Sequence, residues 1–246
     1  MSELYLYCFT EASVTLPELA GIGRTSVPRV VTWGEVSAVV SDNAESRYRV
    51  SRKNINAHNH VVEACRALAS TVPVRFGTLA PSEEALLGIL QKQQTELMDI
   101  LDNLRGMAEY ALRAEWLDKD ALLAQLGERH PEIKTLRERV AARGASYHDR
   151  IALGQKVDEV LINTRETLED TLAELAAEHA KEVLVLDVQD EANDVANLAL
   201  LMPETAYDAF MADLTQFDEQ QPNLLRLRIT GPLAAFSFAD LTSAWS

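Results

Sequence analysis

The amino-acid sequence predicts an α+β fold in two domains, the first over residues 1–80 and the second over residues 81–246. Two observations lead there. From Met107 onward the periodicities run strand, helix, strand, strand, helix, strand, with extra helical segments after the first strand. This is the order of a ferredoxin-like β-α-β-β-α-β unit, which gives an antiparallel sheet with helices on one face. The charge is also unevenly divided. Residues 1–80 carry eight Lys and Arg against seven Asp and Glu, whereas the remainder carries fifteen against thirty-one, as two units with different surfaces would. The boundary is expected between Gly77 and Met107, after a small N-terminal α+β domain; the C-terminal domain then includes a helical extension and a tail.

Taken in order, residues 4–9 (Leu-Tyr-Leu-Tyr-Cys-Phe) are bulky and apolar, as a buried strand is. Residues 27–33 and 36–40 read as two strands joined by a tight hairpin at Gly34-Glu35. From Ser51 to Ser70 the pattern turns helical, with Ile55, Val62, Cys65, Leu68 and Ala69 on one face. Residues 72–76 form a short strand ended by Gly77. Pro81-Ser82-Glu83-Glu84 opens a helix: Ser82 suits the N-cap and the two glutamates suit the positive end of the dipole. Leu86, Leu90, Leu97, Leu101 and Leu104 then recur at helical spacing until Gly106.

Residues 107–117, with Tyr110, Leu112 and Trp116, read as a strand. Residues 118–143 read as one or two helices broken at His130-Pro131. Val157, Leu161, Leu168, Leu172 and Leu175 form the stripe of a long helix over residues 146–181. Strands are expected at residues 182–188 and 195–202, around a turn marked by Asp187 and Asp190. Pro203 opens a helix through Phe210 and Leu214, in keeping with the preference of proline for a first turn. Leu225, Leu227 and Ile229 alternate with Arg226, Arg228 and Thr230, the period of a half-exposed strand.

Composition excludes several classes. With 47% hydrophobic and 25% charged residues the chain can bury a core, so disorder is not its main state. Its apolar runs, such as residues 198–202, fall far short of the roughly 18 residues of a membrane helix. No secretory signal is visible at the N-terminus, so a soluble, cytoplasmic protein without membrane partners is expected. A net charge of −15 opposes binding to nucleic acid, which depends on neutralising phosphates. Two cysteines, Cys8 and Cys65, cannot build a disulfide framework or fill a tetrahedral zinc site; among apolar neighbours they read as buried thiols.

Catalytic chemistry leaves no signature. His58-Asn59-His60 would share a face on a strand, but on a helix the two imidazoles lie roughly 200° apart and diverge. His130, His148 and His179 have no His or Cys at metal-ligand spacing. Gly21-Ile22-Gly23 lacks the third glycine and the strand-to-helix context of a dinucleotide fingerprint, and neither a phosphate-cradling loop nor a nucleophile elbow occurs. No catalytic residue, metal ligand or cofactor site is assigned from sequence.

Three stretches carry a resemblance. Val72-Pro73-Val74-Arg75-Phe76-Gly77-Thr78 ends a strand in an Arg-Phe-Gly-Thr turn. Asn197-Leu198-Ala199-Leu200-Leu201-Met202-Pro203 ends another before a helix. Gly231-Pro232-Leu233-Ala234-Ala235-Phe236-Ser237-Phe238 follows the last strand. In this order, and over nearly the whole chain, they resemble the gas vesicle accessory proteins of the L/F family. That family's terminal motif is Gly-Pro-Trp-Pro-Pro-Tyr-Ser-Phe; Leu233, Ala234, Ala235 and Phe236 replace its centre here, which removes two prolines and loosens the turn. Its Gly-x-x-Glu-Trp strand appears as Gly106-Met107-Ala108-Glu109-Tyr110.

The resemblance implies a non-enzymatic accessory or minor structural protein of gas vesicle assembly. It implies binding to the hydrophobic major shell protein and to other accessory proteins during nucleation, a limit on shell-protein aggregation, and a place in the cytoplasm or in the vesicle. A scaffold among accessory proteins without shell contact, and a ligand-binding or enzymatic ferredoxin-like protein, are the alternatives. Pro73, Arg75, Phe76, Gly77, Thr78, Gly231, Pro232, Phe236, Ser237 and Phe238 are the candidate interaction or structural motif. Arg75 has two readings, a structural fork of donors or a partner contact; Phe236, Phe238 and Trp245 read as a packed tail or as a docking strip.

Overall fold

The structure, a computed structural model of the chain, describes residues 3–12, 14–23, 26–42, 48–142, 146–188, 193–221 and 223–239. Two compact units emerge. One comprises residues 1–109 together with 231–246, the other residues 110–230.

The first unit is built on β1 (Leu4–Glu11), whose residues are buried almost throughout. Its continuous apolar run, rather than a strict alternation, is what a strand buried on both faces requires. β2 (Arg29–Trp33) and β3 (Val36–Asp42) form the expected hairpin around Gly34, at φ +58, and β3 lies antiparallel to β1. The other side of β1 pairs with β4 (Thr71–Pro73) and with the two-residue β5 (Leu79–Ala80), so the sheet order is β2-β3-β1-β4 with β5 also on β1.

The β1–β3 register slips between Leu6 and Cys8. Tyr7 is the extra residue of this bulge, a device that re-aims side chains. Tyr5, Tyr7 and Cys8 therefore join one cluster with Val61, Val62 and Cys65 of α1 (Arg52–Arg66) and with Ala234. The second helix, α2 (Glu83–Asn103), starts at the Ser82 cap and packs against β1, β2 and β3.

The second unit follows the expected order with few changes. β6 (Met107–Trp116) leads into α3 (Lys119–Arg129) and α4 (Pro131–Ala141), broken at His130-Pro131 as expected. Then come α5 (Tyr147–Ala177), β7 (Glu182–Val185), β8 (Asp194–Pro203), α6 (Tyr207–Gln220) and β9 (Leu225–Leu233). The sheet order is β7-β8-β6-β9. Ser146 and Asp149 close a reciprocal capping box on α5, which satisfies amides that a helix start leaves open.

Some expectations shift. The compact units meet at residues 109/110 and 230/231 rather than at 80/81, because α2 packs on the first sheet and Ala234 sits in its core. The strand expected at 72–76 ends at Pro73. The helix after Pro203 begins as a 3-10 turn over Glu204–Ala206. Leu68 lies exposed beyond the end of α1. The turn residue Asp190 and the tail residue Trp245 lie outside the described residues.

Candidate functional site

The turn after β4 is held from beneath by two side chains of the first unit. Pro73 is buried in the strand. Beyond it, the Val74 N–H donates to the Tyr7 carbonyl at 3.1 Å, and the Leu6 N–H donates to the Thr78 carbonyl at 3.0 Å. Thr78 closes the turn by donating from Oγ1 to the Arg75 carbonyl at 2.7 Å and from its amide at 3.3 Å. Gly77 sits at φ +90, a conformation that side chains resist. Its N–H donates to the Tyr5 hydroxyl at 3.0 Å.

His58 completes the arrangement. Its Nε2 lies 3.1 Å from the Val74 carbonyl oxygen, which can only accept, so Nε2 carries the proton. Nδ1 of the neutral ring then accepts from the Tyr5 hydroxyl at 3.0 Å. A continuous relay results, from the Gly77 amide through Tyr5 and His58 to the Val74 carbonyl. Burial drives the His58 pKa down to about 4 and pushes the Tyr5 phenol above its ordinary range. Tyr7 stacks on the imidazole at 5.6 Å and 25°, and Phe76 meets it edge-on at 5.9 Å.

The second motif reaches the same imidazole. Gly231 and Pro232 are exposed at the end of β9, whereas Ala234 and Ala235 are buried. The Ala234 N–H donates to Glu63 Oε1 at 2.7 Å, while Glu63 Oε2 holds Arg66 at 2.8 Å. Ser237 donates from its amide and its hydroxyl to the two oxygens of Glu109, each at 2.8 Å. Glu109 is only 7% exposed; burial raises its pKa against the opposing pull of the Ser237 bonds. Phe238 is half-buried. Phe236, 38% exposed, lies 6.3 Å from the His58 ring.

Val74 and Phe76 of the first motif and Phe236 of the second thus meet one histidine, while Ala234 and Ser237 are held by Glu63 and Glu109. Arg75 stands apart from the rest: it is exposed, and among the described residues its guanidinium has no hydrogen bond or ion pair. The residues that sequence reasoning missed are the clamps, Tyr5, His58, Glu63 and Glu109. Two signals were present. Tyr5 carries a hydroxyl into a buried strand, where it needs a partner, and His58, Val61, Val62 and Cys65 recur at the spacing of one buried helix face. His60 is exposed on the same helix, so the two histidines diverge.

Residues 3–240 match the protein family described as gas vesicle synthesis protein GvpL/GvpF. The chain belongs to that family. Among its relatives, gas vesicle protein F of a Streptomyces species is 29% identical over 240 residues, covering 96% of this chain and 99% of that protein. Gas vesicle protein F of Dolichospermum flosaquae is 25% identical over 244 residues, with 98% of both chains covered. The crystal structure of GvpF from an Anabaena species superposes with a TM-score of 0.86 at 23% identity, covering 98% of this chain and 99% of that one. The corresponding values for GvpF from Microcystis aeruginosa are 0.78 and 20%, with 98% and 100% covered. This GvpL/GvpF chain is therefore a mixed helix-and-sheet protein with the fold of those structures.

Two other features of this family member offer ligand chemistry. Glu178, His179 and Asp213 bring three potential metal ligands within 4.8 Å of one another, and His179 Nε2 lies 2.7 Å from Asp213 Oδ2. This short hydrogen bond joins the segment after α5 to α6. A cavity of about 300 Å³ in the second unit is lined by Leu122, Leu126, Val160, Leu168 and Leu224 with a polar rim of Gln125, Asn163 and Thr164. Neither feature includes a residue of the two motifs. No helix among the described residues is long and apolar enough to cross a membrane.

Proposed function

We propose that this chain is a non-enzymatic accessory protein of gas vesicle assembly, working in the cytoplasm and at the vesicle. It binds the hydrophobic major shell protein and other accessory proteins during nucleation and limits aggregation of the shell protein. The observation that carries this reading is the GvpL/GvpF match over nearly the whole chain. The physical reason is general: a subunit that walls off a gas space presents apolar surface, and large exposed apolar patches associate. A partner with a net charge of −15 keeps such a complex soluble through mutual repulsion.

The docking face in this reading is the pair of motifs around His58, from Pro73 to Thr78 and from Gly231 to Phe238. The second unit is read as a ferredoxin-like scaffold. Numbered within the unit, β6, β7, β8 and β9 take the spatial order fourth, first, third, second, with α3 to α5 inserted in the first crossover.

The test is light scattering from purified shell protein with increasing amounts of this chain. Scattering should fall as the ratio rises. Scattering unchanged at every ratio overturns the limit on aggregation, and pairwise pull-downs with the shell protein and the other accessory proteins then separate shell binding from the scaffold alternative.

A further inference from the structure

We propose that Arg75 is the polar anchor of this docking face, and that its guanidinium receives a carboxylate from an acidic side chain set in an apolar stretch of the partner. This rests on the shell-binding reading above and adds the chemistry of the contact.

The argument begins with the backbone. Six hydrogen bonds fix the turn that carries Arg75: to the Tyr7 carbonyl, from the Leu6 amide, two within the turn from Thr78, from His58 to Val74, and from Gly77 to Tyr5. Two of them use buried polar side chains, which are costly to place in a core unless fully satisfied. The side chain displayed at the tip of this braced turn is Arg75, exposed and without a hydrogen-bond or ion-pair partner among the described residues. Arg29 is committed to Asp42 and Glu83, Arg66 to Glu63, and Arg105 to Glu11 and Asp102; Arg49 and Arg52 are exposed without such a partner among the described residues, but neither stands on this braced turn.

The braced backbone spares the complex the cost of ordering the turn, so that only the side chain has to be immobilised on binding. Its planar fork matches a carboxylate with two parallel hydrogen bonds. The surroundings favour a mixed contact. Phe76, the next residue, is half-buried, and Phe236, 38% exposed, leans on the same imidazole from the second motif. Apolar surface that closes around such a pair excludes water and strengthens it. A phosphate or nucleic-acid partner suits the fork equally well, but the net charge of −15 repels a polyanion and leaves room for a single carboxylate.

The experiment co-expresses the tagged chain with the major shell protein and measures shell protein recovered per mole of tagged chain, together with the thermal midpoint of each variant. Arg75→Ala should reduce recovery about ten-fold and leave the midpoint unchanged, since the guanidinium bonds nothing in the described fold. Arg75→Lys should recover only part of the binding, because an ammonium lacks the fork, and Arg75→Glu should lose the most. Equal recovery by wild type and Arg75→Ala overturns the anchor and leaves the shell-binding reading standing. A lowered midpoint in Arg75→Ala also overturns it, by making the guanidinium structural. No recovery by the wild type overturns both the shell-binding reading and the anchor.

Discussion

His58 braces the turn of the first motif and touches Phe236 of the second, and its protonation state is set by where it sits. Its ring is fully buried, donates to a carbonyl and accepts from a phenol, an arrangement that only the neutral tautomer satisfies. The pKa falls from an ordinary 6.5 to about 4, so between these values the unfolded chain binds a proton that the native chain does not. The stability tied to a neutral His58 is thus complete above pH 6.5 and is lost as the pH falls toward 4, by about 3 kcal/mol in all. Glu109 acts with the opposite sign. Burial raises its pKa above the ordinary 4.5, so its contribution is present below that value and declines as the pH rises through the raised one. Denaturant unfolding at a series of pH values should show the acid loss in the wild type, and His58→Gln should flatten it. An identical slope in both proteins would show that His58 does not control the acid limb.

At the scale of elements, glycines at two sites separate backbone conformation from packing. A methyl group added at Gly77 or at Gly88 meets no atom within 4 Å, so neither site is protected by crowding. Gly77 lies at φ +90 in the clamped turn, where a side chain costs about 1–2 kcal/mol. Gly88 lies in the interior of α2, where alanine is favoured by about 0.5–1 kcal/mol. Gly77→Ala is therefore expected to lower the urea midpoint and Gly88→Ala to raise it. The helices themselves start where local chemistry says they should. Ser51, Ser82, Asp118 and Ser146 each accept an amide of the first turn, relieving donors that have no partner within the helix.

The whole molecule has a discontinuous first unit, completed by the end of the chain. Ala234 is 1% exposed within the cluster of Tyr5, Tyr7 and Val61. Residues 234 and 237 supply three hydrogen bonds to Glu63 and Glu109. Ending the chain at residue 230 removes these bonds and leaves Glu109 with neither Ser237 donor. Hydrogen bonds to charged groups contribute about 1.5–3 kcal/mol each, so this truncation should cost at least about 4 kcal/mol in urea unfolding, whereas Ser237→Ala should cost only about 1–2 kcal/mol. A truncated chain as stable as the full one would mean that the C-terminal segment is dispensable to the first unit. The same connectivity means that this unit cannot finish folding until residues 231–238 have been synthesised.

What the sequence determined by itself was local. The hairpin at Gly34, the Ser82 cap, the break at His130-Pro131, the alternation of Leu225 to Thr230 and the two motif segments were legible because propensity, capping and periodicity act over a few residues. Over nearly the whole length the motifs also pointed to the family. The tertiary structure decided which distant residues meet. It bulged β1 at Tyr7, ended β4 early so that Val74 could accept from His58, and brought residues 234–237 back to Glu63 and Glu109. Such meetings leave no spacing signature, because they are selected by the packing of a complete core and by the need to satisfy each polar group buried in it.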